Sequence, residues 1–216
     1  MFPLMRTQSQ ILTDVNSYLD LEAALPTGDD LDVRAAYSQQ AVREWADAYK
    51  WKELSTPVTL VATLTTVSLP TNFKELEGKP KDSDGNFYPE IQPSERVYKD
   101  INERYSFIEG NQSRGYVLTL NGLASLATLS ITYQRQPSSM ATLSDVCEVP
   151  DDQFVVQKVI SLVLQSRSDE RFPIVEANAQ RLLGNMMGRN MVQTPGGDNK
   201  MRRTGSAAWS IGRSRG

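Results

Sequence analysis

The side chains of this sequence that could do chemistry are few, and each has a bland explanation beside the reactive one. Asp29-Asp30-x-Asp32 and Asp151-Asp152 place carboxylates close enough to share acid–base work, which needs two acids whose environments push their proton affinities apart. Both groups stand immediately before an apolar run of helical period. There carboxylates accept backbone N–H bonds and oppose the helix dipole, and that role accounts for them. Asp82-x-Asp84-Gly85-Asn86 resembles the opening of a calcium loop. Its glycine comes early and Glu90 stands too close to serve as the distant bidentate ligand, so a solvated turn is expected. Gly196-Gly197 neither follows a strand nor opens a helix and is no phosphate loop.

The 216 residues include no histidine and one cysteine, Cys147. Ser-His-Asp, Cys-His and His-ligated zinc chemistries are thereby excluded, as are an intrachain disulfide and any cysteine-based metal site. With no histidine to activate it, Cys147 reads as a small packed hydrophobe. A carboxylate- or lysine-dependent enzyme stays open as a third reading, but the expectation is no enzyme, no metal and no cofactor. Hydrophobic residues at 39% and charged ones at 23% describe a globular chain. The long uncharged stretch Gly115 to Gln134 is interrupted by Asn, Ser, Thr and Gly. It falls short of a span, which needs ~20 continuous apolar residues. The N-terminus has Arg6 but no apolar segment and no cleavage site, so a soluble protein made in the cytoplasm is expected.

The elements that must hold these residues change period twice. Thr7 to Leu25 reads as a helix capped by Thr7 or Ser9, with Ile11, Leu12, Val15, Tyr18 and Leu19 on one stripe. A second helix, capped by Asp29 or Asp30, runs to about Trp51 with Val33, Tyr37, Ala41, Trp45, Ala48 and Tyr49 facing inward. Val58 to Leu69 is β-branched and uncharged and reads as one strand ended by Pro70. Phe73 to Leu76 continues as a short strand, a polar loop spans Gly78 to Pro93, and Ser94 to Arg104 reads as a short helix carrying Val97, Tyr98 and Ile101. Strands follow at Tyr105 to Glu109, Gly115 to Leu120 and Leu126 to Gln134, with turns at Gly110-Asn111 and Asn121-Gly122, the latter a strong hairpin signal. Helical period returns after Pro150, with Phe154, Val155, Val159, Ile160, Leu162 and Val163 forming a broad apolar face. Ser168-Asp169 breaks this helix, and Pro173 opens another that carries Val175, Ala179, Leu182, Leu183 and Met186 to about Gly188.

The expected fold is therefore α+β: a helical bundle built from both chain ends, residues 1–56 and 137–190, with a β-rich module, 57–136, inserted between them. Residues 191–216 form a basic C-terminal arm with too little apolar surface to order alone. The net charge of −3 hides an asymmetry. From Glu176 onward seven basic residues face two acidic ones, so the remainder is strongly acidic. The arm is the one segment where function competes with the bland reading of a solubilising terminus. Lys200, Arg202, Arg203, Arg213 and Arg215 could bind nucleic-acid phosphates. Alternatively Trp209 and Ile211 anchor the arm in a partner's groove while the arginines pair acidic residues there.

The order and spacing of several short motifs resemble the head-to-tail adaptor (connector) proteins of tailed double-stranded DNA bacteriophages. The N-terminal helical pair ends at Trp51-x-x-Leu54, and a Thr/Val-rich stretch leads into Leu69-Pro70-x-x-Phe73. Tyr133-x-x-x-Pro137 and a linker through Leu143 precede Val149-Pro150-Asp151-Asp152-x-Phe154, with Asp169-x-Arg171 after it. The resemblance implies a virion protein of the neck: a ring, typically of about twelve copies, that docks under the portal protein and presents a platform to tail or nozzle proteins. It also implies passing contact with DNA in the channel, and no membrane. Carried onto this chain, the arm reaches the portal, with Trp209, Ile211, Arg213 and Arg215 as contacts. The rival reading is a nucleic-acid-binding or packaging accessory protein acting through the basic arm, against which the acidic body argues.

Overall fold

The computed structural model describes residues 5–20, 23–63, 65–123 and 127–192. Helix α1 (Gln8–Leu19) starts at a capping box. Thr7 Oγ1 accepts from the Gln10 N–H, and the Thr7 N–H donates to Gln10 Oε1 at 2.9 Å. Ile11, Leu12 and Val15 are fully buried as expected, but Tyr18 is exposed. The helix closes at Asp20, whose N–H bonds Asn16 O, and does not run on to Leu25.

Helix α2 (Asp29–Ala48) begins after Gly28, which holds φ +60°, with Asp29, Asp30 and Asp32 in the first turn where they oppose the dipole. No aspartate side chain caps it. Its buried stripe is Arg34, Ser38, Ala41, Val42, Trp45 and Ala46, rotated by one residue from the sequence expectation, and Val33 faces solvent. Arg34 takes the inner position because α1 supplies polar partners there: Asn16 Oδ1 at 2.5 Å and Asp20 Oδ2 at 2.6 Å. The chain then turns extended at Tyr49, and Trp51 folds back to stack on Trp45, centroids 5.1 Å apart, donating from Nε1 to Trp45 O at 2.6 Å.

Helix α3 (Gln153–Ser166) is the centre of the bundle and packs against α1, α2 and α4 (Phe172–Val192). Phe154, Val155, Val159, Ile160, Val163 and Leu164 are all buried, which is why its apolar face is too broad for a surface helix. Ser168 at φ +53° makes the reversal into α4.

Between the helical halves lie two antiparallel sheets. One has β1 (Ser55–Val61), β7 (Thr128–Arg135) and β3 (Phe73–Leu76) in that order, with β4 (Lys81–Asp82) also on β7. The other is β2 (Thr66–Ser68), β6 (Gly115–Asn121) and β5 (Tyr105–Asn111). Phe73, Tyr88, Leu118, Leu120, Leu129 and Ile131 belong to one apolar core shared by the two sheets.

The stretch 58–69 is not one strand: after β1 the backbone closes between Thr63 and Thr66 and re-enters the second sheet as β2. Asn121-Gly122 is not a hairpin turn, since β6 and β7 lie in different sheets and Gly122, at φ +79°, carries the chain between them. The true hairpin joins β5 to β6, where Gly110 is required: a Cβ there would stand 2.1 Å from Gly115 O. The segment 94–104 forms only a 3₁₀ turn, Pro93–Tyr98, capped by Gln92 and Glu95.

The architecture is thus α+β, with a bundle contributed by both ends and a β-rich module between them. The junction is polar and specific. Gln134 Nε2 donates to Trp51 O at 2.9 Å, the Arg135 N–H donates to Leu54 O at 2.9 Å, and Lys74 Nζ reaches Ala46 O at 2.7 Å.

Candidate assembly surfaces

Three of the carboxylates that could have been reactive, Asp30, Asp82 and Asp152, are committed to structure. Asp152 does not cap α3: its two oxygens each take a 2.7 Å bond from Arg6, tying the residues before α1 to the start of α3. The helix start is instead closed by main chain, the Phe154 N–H on Asp151 O and the Val156 N–H on Asp152 O. Asp30 lies 3.3 Å from Arg34. Asp82 forms the expected turn, its carboxylate accepting from the Asn86 N–H, Asn86 Nδ2 and Tyr88 Oη. Burial works against its charge, but those donors outweigh it and hold its pKa below the usual carboxylate value. Tyr88, the donor, is pushed up to about 12 by burial and by that carboxylate.

Cys147 is buried, and burial pushes its thiol up to about 11, so it is protonated at neutral pH. Among the described residues no group of three or more His, Cys, Asp or Glu is placed to hold a metal ion. No helix among them is long and apolar enough to cross a membrane.

Inside the bundle, Lys158 is buried between two acids, Glu44 at 3.0 Å and Glu176 at 2.8 Å, and Glu176 also accepts from Ser161 Oγ at 2.6 Å. This set joins α2, α3 and α4. With the Arg34 cluster on α1 and α2 it gives the bundle a fixed register. Neither cluster was singled out from the sequence. The usable signal was a cation at the inner position of an otherwise small or apolar stripe, such as Arg34-x-x-x-Ser38-x-x-Ala41-Val42.

The motifs behind the adaptor resemblance lie at turns and joints. Trp51 and Leu54 are buried at the bundle–module junction and closed by a Leu54 N–H to Trp51 O bond of 3.0 Å. The Phe73 N–H bonds Pro70 O at 3.0 Å. Arg135 reaches Glu148 at 2.9 Å beside the linker. In the α3–α4 reversal Arg171 grips Asp169 with its side chain and N–H, holding that carboxyl down at about 2.

The outer surface is where function can act. The sequence reading placed Val97, Tyr98 and Ile101 on one side of a helix, which would bury them. They stand bare instead, 81%, 88% and 83% exposed. The partner-binding residues expected from sequence, Lys200, Arg202, Arg203, Trp209, Ile211, Arg213 and Arg215, lie outside the described residues.

A bared apolar cluster is a property of a protein that works through contact with other chains. Comparison with protein families is more specific: residues 6–197 match the SU10 adaptor protein family, so the chain belongs to it. The family is one of phage head-to-tail adaptors, structural components of the virion. No curated protein matches the chain.

Proposed function

We propose that this adaptor forms a ring between the portal and the tail of a bacteriophage, the bundle making the ring and the arm docking on the portal. The observation that carries the reading is the family match, which runs through bundle and β module alike over residues 6–197. The reading divides the chain into a bundle of residues 1–56 and 137–190, an inserted β module of 57–136 and an arm of 191–216. Ring closure follows from a head-to-tail contact repeated by rotation, and about twelve copies form the ring. Trp209 and Ile211 anchor the arm in an apolar groove of the portal. Lys200, Arg202, Arg203, Arg213 and Arg215 pair with acidic residues around it. Tail or nozzle proteins then bind the opposite face, and DNA passes through the channel.

The portal supplies the template for the ring, so the isolated protein is expected to be less assembled than the portal-bound one. Mixing the chain with purified portal and weighing the product by mass photometry tests this. Loss of the complex on deleting residues 191–216 is expected, and binding that survives the deletion sinks the arm's assigned role. The basic composition of the arm favours one second reading, nucleic-acid binding. It predicts an affinity for duplex DNA that falls steeply with salt and vanishes with the arm.

A further inference from the structure

Helix α4 carries two glycines, Gly184 and Gly188, one turn apart on its solvent face. Gly110 in the β5–β6 hairpin is accounted for by a close neighbour, Gly115 O. The helical glycines have none: a Cβ built on either meets nothing within 4 Å. Packing within the chain does not call for them, so what they change is backbone freedom. Each shifts the helix–coil balance towards coil by about fivefold relative to alanine, and the pair by about 25-fold.

The anchorage of α4 thins at the same place. Before Gly184 the helix buries Val175, Ala179 and Leu183 in the bundle core, and Glu176 is held by Lys158 and Ser161. After it, among the described side chains, Met186 and Asn190 are buried and Met187 is half-buried, with Asn190 Nδ2 reaching Lys50 O at 3.1 Å. Beside these turns lies a hollow of about 190 Å³, whose lining includes Trp51, Glu53, Pro150, Met186 and Asn190. Side chains that border a void lack partner atoms on one side and lose that dispersion energy. Glu53 adds a second weakness. Its Oε2 is buried without a hydrogen-bond partner, while Lys52 stands 3.9 Å from its other oxygen. A buried acceptor left unmade costs free energy, which water regains for it when the turns beside it open.

We propose that residues 184–192 are a hinge between helix and coil, wound onto the bundle in the free protein and unwound when the arm docks on the portal. The inference rests on the docking reading above and adds a moving part to it. As helix the segment spans about 13 Å and drawn out about 30 Å, so unwinding lets the arm reach further while the bundle stays in place. The boundary falls at Gly184 because Leu183, buried in the core, holds the turn before it. Moving elements are drawn from the least stable part of a fold, and here glycines, a void and an unpaired acceptor coincide. Docking must supply the free energy of unwinding, which the two glycines keep small.

Hydrogen exchange of the full chain, read by mass spectrometry, tests the hinge without any partner. Amides of 184–192 should exchange more than about tenfold faster than those of 175–183. Gly184→Ala/Gly188→Ala should slow the first group about 25-fold and leave the second unchanged. Equal protection of the two groups, or no slowing in the variant, overturns the proposal. Titration onto purified portal then tests the hinge in use. The double variant should bind about 25-fold more weakly than wild type, because the unwound form is the one that docks. Gly78→Ala, at a glycine outside the helix with equally open space, should bind as wild type does. Equal affinity of the double variant and wild type overturns the hinge, while the ring reading survives. A wild-type chain that does not bind the portal sinks the ring reading, and the opening of the segment then stands or falls on the exchange result.

Discussion

Replacing Lys158 with methionine tests whether the buried ion cluster registers the bundle. The ammonium sits in the bundle between Glu44 and Glu176, with Ser161 and Gln180 completing the Glu176 carboxylate. Burial lowers the Lys158 pKa, but the bonds from Glu176 and Glu44 outweigh it and the net shift is upward. Burial likewise raises Glu176, and Lys158, Ser161 and Gln180 outweigh it to bring that acid down. Removing one partner of a fully buried pair costs about 3–5 kcal/mol. Here the Glu176 and Glu44 side chains keep about a quarter and a third of their exposure, so water recovers part of the loss. Methionine also keeps the apolar stem, and a loss of about 2 kcal/mol is expected. The sign with pH follows from the shifts. The lowered Glu176 contributes above the ordinary carboxylate range and loses that contribution as pH falls through its folded value; the raised Lys158 contributes until pH climbs through its own folded value. The difference between wild type and variant should therefore be flat near neutrality and shrink below about pH 4. Urea unfolding followed by tryptophan fluorescence reads it, since Trp45 and Trp51 are both buried. Adding Glu176→Gln to the variant should recover about half of the loss. A loss under about 0.5 kcal/mol at pH 7, the level of an ordinary surface change, or an undiminished loss at pH 3, would refute the reasoning.

Trp51→Ala removes the stack on Trp45 and the bond to its carbonyl, and should cost about 3–5 kcal/mol, seen as a large fall in melting temperature. Gly110→Ala forces a Cβ to within 2.1 Å of Gly115 O at a φ of +104°, so the β5–β6 hairpin must distort; about 1–3 kcal/mol of destabilisation by denaturant titration is expected, against little change for Gly78→Ala, which has open space. Cys147, with a thiol raised to about 11, should resist alkylation at pH 7.5 in the native protein and react at once in urea, as counted by intact-mass spectrometry.

Most of the fold was legible because its signals are periodic. The burial of Ile11, Val15, Trp45, Phe154 and Val159 follows from spacing alone. What escaped was decided by tertiary partners. Arg34 displaced Val33 from the core because Asn16 and Asp20 wait for it across the interface, a match no single helix encodes. Likewise, Asp152 left its capping role for Arg6, which is distant in sequence. Strand 58–69 broke in two because a uniform β-branched run carries no mark of where the chain changes sheet. Val97, Tyr98 and Ile101 were assigned to a helix side since apolar spacing cannot tell a face turned to the core from one turned to solvent. The adaptor family itself was legible, since its motifs are turn and junction residues whose local geometry constrains their type.

The central claim is that this adaptor assembles as a ring on the portal through its last residues. Native mass spectrometry of the portal ring, saturated with the full chain and separately with a chain ending at residue 190, tests it directly. The account predicts a discrete added mass of about twelve copies with the full chain and none with the shortened one. A portal ring that keeps its own mass in saturating full-length adaptor contradicts it.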